Sequence, residues 1–215
     1  MFLPGRFSLY PEKTLHETVS FLLRRISNKI IFDFDDALYS KDTFSESTSS
    51  LGSGSIKTIR RLNYSLKSAD TVIAGNDNLK SYSSAYNPNV KVVPTVVDHS
   101  EYRVAEKSER DSISIGWLGL SDNNGYLDKL GDVLRTLSKK FPNVTLKVIS
   151  DKVIELEGVR CRNIKWNLEN YKSELSEIDI GITPLLDDEW SRGKCVQIDT
   201  IHGIRNSCCG FQCRC

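Results

Sequence analysis

Three aspartates stand at the end of one apolar stretch, IIFDFDDALY (residues 30–39). Asp33, Asp35 and Asp36 follow isoleucines and phenylalanines in a run that is typical of a buried strand. Such a strand would deliver the carboxylates to its carboxyl end. Three chemistries use that arrangement: attack on a phosphate ester, binding of a divalent cation, or an acidic strand end in a sugar-transfer fold. The stretch alone does not decide between them.

Asp33 and Asp35 fit the Asp-x-Asp pattern of haloacid dehalogenase-like phosphatases, in which the first carboxylate attacks phosphate and the second transfers protons. Ala37, however, stands where those enzymes carry threonine or valine, and the later Gly-Asp pair that would help to hold magnesium is not evident. A cation site for a nucleotide diphosphate also fits poorly, because nothing glycine-rich precedes residue 30. The phosphatase stays as an alternative function.

A second group of small residues lies between a predicted strand and a predicted helix. In IGWLGLSDNNGYL these residues are Gly116, Gly119, Ser121 and Asn123. Small side chains at such a turn let backbone N–H groups approach an anion at the helix N-terminus. Most turns of this kind are merely tight, so the group gains weight only from its neighbours.

A third motif, IDIGITPLLDDEWSRGKC, combines a buried strand with a proline, an acidic pair, a tryptophan and two basic residues. Arg192 and Lys194 flank a single glycine. Cations beyond the carboxyl end of a parallel strand suit a pyrophosphate. A solvated polar loop is the other interpretation.

Apolar periodicity predicts two blocks in which strands and helices alternate, which is typical of parallel sheets covered by helices. The helix after residue 55 is expected to bury one face, formed by Ile56, Ile59, Leu62 and Leu66. The first block has predicted helices at 11–27, from 56 to 66 and at 77–86, strands at 29–34, 71–75 and 90–94, and a mobile loop at 41–55.

The second block follows a charged stretch at 98–111 that is interpreted as a junction. Asn167 is expected to cap a helix that carries Leu168, Tyr171 and Leu175. The block has predicted strands SISIGWLG, VTLKVIS and IDIGITPL, and one helix face formed by Leu127, Leu130, Leu134, Leu137 and Phe141.

The balance of charges argues against nucleic acid as a partner. The 215 residues include 29 Lys and Arg against 28 Asp and Glu, a net charge of +1. That charge gives no electrostatic attraction to nucleic acid or to an anionic membrane. No apolar run approaches the roughly 20 residues of a membrane span, and the N-terminus lacks the apolar core of a signal peptide. The sequence predicts a cytoplasmic protein without a membrane span, and peripheral membrane contact is compatible with it.

The motifs occur in the order found in one family. IIFDFDDALY, IGWLG, IKWNLENYKSELSEIDIGITPL and DDEWSRGKC together resemble the retaining family 4 glycosyltransferases of the GT-B type, over nearly all of residues 28–195. The resemblance implies an α/β fold with parts of two Rossmann-like domains and parallel sheets. It assigns 1–97 to the acceptor-side domain, 98–111 to the junction and 112–195 to the first part of the nucleotide-sugar-binding domain.

The resemblance implies a hexosyltransferase type of enzyme, as used in polysaccharide biosynthesis. Its substrates would be a nucleotide-sugar donor and a glycan or lipid-linked acceptor. Matching positions imply a set of donor-binding residues. These are Gly119 and Ser121 near the donor phosphates, Arg192 and Lys194 against the diphosphate, and Lys165 and Trp166 near the nucleobase.

Asp35 and Asp36 would then line the acceptor side of the cleft instead of binding a metal. There they would either accept hydrogen bonds from acceptor hydroxyls or hold loops in place, and a structural role is favoured over a catalytic one. GT-B enzymes of this kind need no bound metal, because helix dipoles and basic side chains stabilise the departing nucleoside diphosphate. We therefore expect no metal and no other cofactor. The resemblance identifies no catalytic residue in this chain.

The tail departs from the family after Cys195. Residues 196–215 read VQIDTIHGIRNSCCGFQCRC, where the family continues with a helix like FKLIQYMAYGIPVVAS. Back-translated with suitable third bases and read one base later, the same tail gives FKLIQYMAYGIPVVASNVG. We predict that it is a frameshifted reading without helical or strand period that packs poorly and stays mobile, and that its cysteines are not functional zinc ligands.

The start of the chain departs as well, because only about 28 residues precede the acidic strand where the family has several strands and a glycine-rich loop. With half of each domain, the chain is expected to be an inactive remnant of a glycosyltransferase. A stand-alone α/β binding module is the alternative from a different functional class.

Overall fold

A computed structural model describes five parts of the chain, at residues 6–9, 24–44, 52–94, 112–194 and 208–209. They form two compact units. The first unit contains the described residues up to 94 together with 187–194, and the second contains 112–186 and 208–209. Residues 187–194 were predicted with the second block, so their place in the first unit is a finding that the sequence did not indicate. Both units are α/β.

The elements alternate along the chain as predicted. The strands are β1 (Arg6–Leu9), β2 (Lys29–Phe34), β3 (Thr71–Ala74), β4 (Val90–Val92), β5 (Ile113–Leu118), β6 (Val144–Ser150), β7 (Cys161–Lys165), β8 (Ile180–Ile182) and β9 (Cys208–Cys209). The helices are α1 (Ile56–Ser68), α2 (Asp77–Ser83), α3 (Asn124–Asp128), α4 (Gly131–Lys140), α5 (Tyr171–Ser176) and α6 (Glu189–Arg192), with a 3-10 turn at Ser121–Asn123.

The first unit is built on a parallel sheet with the strand order β1-β2-β3-β4. Burial alternates along β2, where Ile30, Phe32 and Phe34 point into the core and the residues between them are half-buried. This period of two is what a strand packed on one face requires. It confirms the predicted strand and leaves Asp33 on the opposite face from the phenylalanines.

Helix α1 forms where it was predicted, after Ser55, whose side chain accepts a hydrogen bond from the Thr58 N–H. Its predicted face is wrong at Ile56, which is 80% exposed. Leu62 and Leu66 are fully buried. Ile56 is six residues before Leu62, which places it about 240° around a helix of 3.6 residues per turn. The buried face of α1 therefore begins at Thr58.

The second unit has a parallel sheet with the order β7-β6-β5-β8-β9. Its core includes Trp117, Leu127, Leu134 and Val148. The single helix face predicted from Leu127 to Phe141 is in fact divided between α3 and α4 by a turn at residues 129–130. Phe141, at the end of that predicted face, is 41% exposed.

Helix α5 differs from its prediction at the N-terminal end. It begins at Tyr171, and Asn167 accepts a hydrogen bond from the Glu169 N–H in the turn before it. Leu168 is therefore exposed, whereas Leu175 is buried as predicted. An Asx-turn at Asn167 competes with helix formation, which explains the later start.

Several predictions fall wholly or partly on residues that the structure does not describe. These are most of the helix at 11–27, of which 24–26 are helical, the middle of the loop at 41–55, the junction at 98–111, and the tail apart from 208–209. Cys208 and Cys209 pair in parallel with Gly181 and Ile182 of β8. These two residues form a short strand that the missing strand period of the tail did not indicate. Within the described ranges, no helix has the length and apolar character to cross a membrane.

Candidate functional site

The first unit brings the acidic strand end next to the end of β3. Asp33 is in register with Ile73, and the Gly75 N–H donates to the Phe34 carbonyl at 3.1 Å. Because parallel strands end at the same edge of a sheet, residues 35–37 and 75–76 lie side by side. This edge is the floor of the candidate site.

Residues 187–194, which we name the basic segment, pack directly on this edge. A Cβ atom added to Gly193 would lie 2.5 Å from the Ala37 Cβ and 2.8 Å from the Ala37 backbone N. Only glycine fits at that distance, and Ala37 is itself completely buried. A threonine or valine at position 37, as in the phosphatase pattern, would collide with this segment. Ala37 is therefore a packing residue of the basic segment.

The start of the basic segment is fixed by Asp188. Its carboxylate caps α6 by accepting from the Ser191 N–H at 2.7 Å, and it accepts from the Thr43 hydroxyl at 2.6 Å. Burial alone would raise the pKa of Asp188, but the hydrogen bonds from Thr43 and Ser191 hold it below its ordinary value. Asp188 thus stays ionised and keeps the segment attached near its beginning.

The end of the basic segment is fixed by Asn76. The Asn76 side-chain amide donates to the Arg192 carbonyl at 3.1 Å and to the Gly193 carbonyl at 3.3 Å. Its oxygen accepts from the Leu79 N–H at 2.8 Å, which caps α2. The exposed Asn78 amide adds a second bond to the Arg192 carbonyl at 3.1 Å.

Lys194 directly follows Gly193, whose carbonyl accepts a hydrogen bond from the Asn76 amide. Its Nζ lies 5.2 Å from the centroid of the Trp190 ring, a distance at which a cation is attracted to the aromatic face. Burial, and then the charge of Asp35, raise the pKa of Asp36, while the positive charge of Lys194 opposes them. Asp36 and Lys194 therefore interact electrostatically, and the site contains an acidic and a basic group.

Burial, and then the charge of Asp35, also raise the pKa of Asp33. The acidic strand end is thus partly buried and electrostatically crowded. Two of its three carboxylates gain a proton more readily than in water. Within the described part of the chain, no three His, Cys, Asp or Glu side chains come together as a metal site would require.

Arg192 is the exposed basic residue of the segment. Its guanidinium donates to one oxygen of Asp187 from Nε at 3.1 Å and from Nη2 at 2.7 Å. The Asp187 carboxylate raises the pKa of Arg192, which stays charged. Both side chains are largely exposed, so an anion from solution can reach the guanidinium.

In the second unit, both backbone donors predicted to meet the donor phosphates already have partners. The Gly119 N–H donates to the Ile149 carbonyl at 3.1 Å. A Cβ atom on Gly119 would lie 2.5 Å from the Trp117 ring, which gives this glycine a packing role. The Ser121 N–H and hydroxyl donate to Asp151 at 2.6 and 3.0 Å. These hydrogen bonds from Ser121 lower the pKa of Asp151.

Lys165 and Trp166 lie at the end of β7. The Trp166 backbone N–H donates to the Ser150 carbonyl at 2.8 Å. Trp166 is 46% exposed, and the centroid of its ring lies 6.0 Å from that of the Tyr171 ring. Lys165 is exposed. An exposed indole beside a flexible cation is chemically able to stack on and pair with a nucleotide.

The structure therefore divides the predicted site residues between the units. Asp35, Asp36, Arg192 and Lys194 belong to the first unit, whereas Gly119, Ser121, Lys165 and Trp166 belong to the second. Their assigned roles remain predictions. The sequence analysis missed Asn76 and Asp151. Each directly follows a predicted strand or its terminal glycine, at the carboxyl edge of a parallel sheet where functional side chains collect.

Comparison with known proteins gives matches in fold. No family model matches the chain, and no curated protein matches it in sequence. A UDP-forming α,α-trehalose-phosphate synthase from Burkholderia xenovorans superposes with a TM-score of 0.61 and 11% identity, covering 93% of this chain and 56% of that one. A sucrose-phosphate synthase from Thermosynechococcus elongatus gives 0.60 and 11%, covering 83% and 49%. The pneumococcal O-GlcNAc transferase GtfA, in complex with UDP and GlcNAc, gives 0.56 and 13%, covering 91% and 39%.

This chain spans between 39% and 56% of the length of these three neighbours. At such identities the likeness concerns the fold alone. The two α/β units, each with a parallel sheet, have the GT-B-like fold of these glycosyltransferases.

Proposed function

We propose that this chain comes from a retaining family 4 glycosyltransferase that moves a hexose from a nucleotide-sugar donor to a glycan or lipid-linked acceptor. The observation that carries the proposal is the anchored basic segment. A merely solvated loop would not need a glycine packed against buried Ala37 or a buried amide bonded to two of its carbonyls. The segment is built to hold Arg192 and Lys194 in place.

The chemistry of sugar transfer needs such cations. When the bond between sugar and phosphate breaks, negative charge develops on the departing diphosphate, and preorganised positive groups stabilise it most effectively. Arg192 offers a planar fork for two phosphate oxygens, and Lys194 offers a compact point charge. Asp187 and Asp36 balance these charges in the free protein and would give way to the more highly charged ligand.

The remaining predicted residues have supporting roles in this proposal. Asp35 and Asp36 would accept hydrogen bonds from hydroxyl groups of the acceptor. Trp166 would stack on the nucleobase, with Lys165 beside it. Two of the three neighbours reported above are described as UDP-forming or as a complex with UDP, which makes UDP the first nucleotide to test.

The tail is also part of the proposal. We propose that residues 196–215 are a frameshifted reading of the helix and strand that complete the donor site. The chain as written would then lack the N-terminal helix end that follows Lys194 and favours phosphate through its dipole. With the present tail the protein would be inactive, and with the restored reading frame it would act in the cytoplasm.

Substitution of Lys194 tests the proposal. In the frame-restored, full-length enzyme, Lys194→Ala should remove a charge-assisted contact worth about 2–4 kcal/mol in the transition state, so turnover should fall roughly 30- to 1000-fold. Steady-state sugar transfer or donor hydrolysis measures the loss. Lys57→Ala is the control, because Lys57 is an exposed lysine of the same unit on α1. Equal turnover in the Lys194 and Lys57 variants would contradict a donor role for the basic segment.

A further inference from the structure

One buried side chain connects the start of α2 to the basic segment. Asn76 is 6% exposed and uses both ends of its amide: the oxygen caps α2, and the nitrogen donates to the carbonyls of Arg192 and Gly193. We infer that Asn76 is a positioning residue whose amide donors set the basic segment, and with it Lys194, beside Asp36.

The energetic reason is the burial of the bonded groups. Gly193 is buried, so its carbonyl would be desolvated without a partner if the Asn76 amide were lost. The Arg192 carbonyl keeps a second donor, the exposed Asn78 amide. Asn76 therefore contributes the bond that solvent cannot easily replace, and Asn78 contributes the one that it can.

Lys194 comes directly after these two carbonyls. The charges that act on the Asp36 carboxyl are those of Asp35, Lys194 and Asp42, and among them only Lys194 lowers its pKa. A segment released from Asn76 would carry this charge away. The pKa of Asp36 should therefore rise when Lys194 moves away from it. What Lys194 then does to a diphosphate rests on the proposed function, but its position does not.

Asn76→Ser separates the two roles of this side chain, which are to cap α2 and to donate to the basic segment. Serine is as good an N-cap as asparagine, so α2 keeps its cap, while the two amide donors are lost and no charge is introduced. Asn87→Ser is a matched control. Asn87 is also buried, donates to the carbonyls of Leu66 and Ala69 at 2.8 Å each, and accepts from the Asn89 N–H, yet makes no bond to the basic segment.

The first measurement is backbone hydrogen exchange in the chain as given. The N–H groups of residues 192, 193 and 194 are bonded within the basic segment at 3.1 Å each. In Asn76→Ser we expect them to exchange about tenfold faster, with the Lys80 N–H of α2 changed by less than about twofold. Asn87→Ser should leave the segment at its native rate. Unchanged exchange in Asn76→Ser, or equal acceleration in both variants, would overturn the inference.

The second measurement is the pKa of Asp36 by NMR titration of its carboxyl carbon. It should rise in Asn76→Ser and not in Asn87→Ser. In a Lys194→Met background, where the charge is already gone, Asn76→Ser should add no further rise. A purely structural role would give the same Asp36 pKa in Asn76→Ser as in the native chain, and that result would contradict positioning of Lys194. Neither measurement uses a nucleotide, so failure here is distinct from failure of the glycosyltransferase proposal.

Discussion

The carboxyl edges of the two sheets shift the pKa values of their aspartates in opposite directions. At the end of β2, burial and crowding raise the pKa values of Asp33 and Asp36. At the end of β6, the exposed Asp151 accepts from the Ser121 N–H and hydroxyl, and its pKa is lowered. The same side chain is thus poorly stabilised as an anion in one unit and well stabilised in the other.

The difference bears on where a diphosphate would bind. Ser121 already has a well-matched anion in Asp151, which a ligand must displace. The Lys194 charge acts on the carboxylates of Asp36 and Asp188, and the exposed guanidinium of Arg192 pairs with the solvated Asp187. Under the proposed function, we expect the diphosphate to bind at the basic segment of the first unit and not at the turn of the second.

Glycine substitutions should give the largest difference in stability between the two units. Gly193→Ala would force a Cβ atom against Ala37, including its backbone, and should cost about 1–3 kcal/mol of stability. Gly119→Ala meets the side chain of Trp117 instead, so its loss should be smaller. Gly131→Ala is the control, because the nearest atom to its added Cβ is the Arg135 guanidinium at 3.8 Å.

Urea unfolding of the three variants measures these effects. Gly131→Ala should be neutral or stabilising by up to about 1 kcal/mol, since alanine favours a helix. A Gly193→Ala variant as stable as Gly131→Ala would show that the basic segment does not pack on Ala37.

The effect of pH on stability should be smaller than that of the glycine substitutions. It should have opposite signs at Asp151 and at the pair Asp33 and Asp36. The lowered pKa of Asp151 means a stabilising contribution that is present above its unfolded pKa and is lost as the pH falls through the folded value. The raised pKa values of Asp33 and Asp36 mean the reverse, with a contribution present at low pH that is lost as the pH rises through the folded values.

Neutral substitutions separate the two contributions. Asp36→Asn should raise the midpoint of thermal unfolding near pH 7 and have little effect in acid. Asp151→Asn should lower the midpoint near pH 7 and also have little effect in acid. Calorimetric scans from pH 3 to pH 7 test both, and midpoints that move in the same direction at neutral pH would contradict the comparison.

The parts of the fold that the sequence predicted depend on local patterns. The apolar run that leads into Asp33 predicted β2, and the apolar run VTLKVIS predicted β6. The errors arose where tertiary contacts decide. The turn between α3 and α4 interrupts a periodic stripe, and the exposed Ile56 lies off the face that packing selects.

The candidate site was predictable in its residue types but not in its assembly. Arg192 and Lys194 were identified from their spacing around Gly193 and from a family resemblance. Their attachment to the first unit depends on Asn76, which is 116 residues away from Arg192 along the chain. No local periodicity encodes a contact at that separation, so only the folded chain shows which side chains hold the segment.

Calorimetric titration with UDP measures whether the basic segment, followed by the helix of the restored reading frame, binds a nucleoside diphosphate. The two proteins to compare are the chain as given and a variant in which FKLIQYMAYGIPVVASNVG replaces residues 196–215. The replacement should provide a helix directly after Lys194, whose N-terminal dipole favours the diphosphate by up to about 2 kcal/mol, so the variant should bind UDP up to about 30-fold more tightly. Lys194→Ala in the variant should remove most of that gain. Equal affinity of the two proteins for UDP would contradict both the frameshifted tail and the assignment of the basic segment to the donor diphosphate.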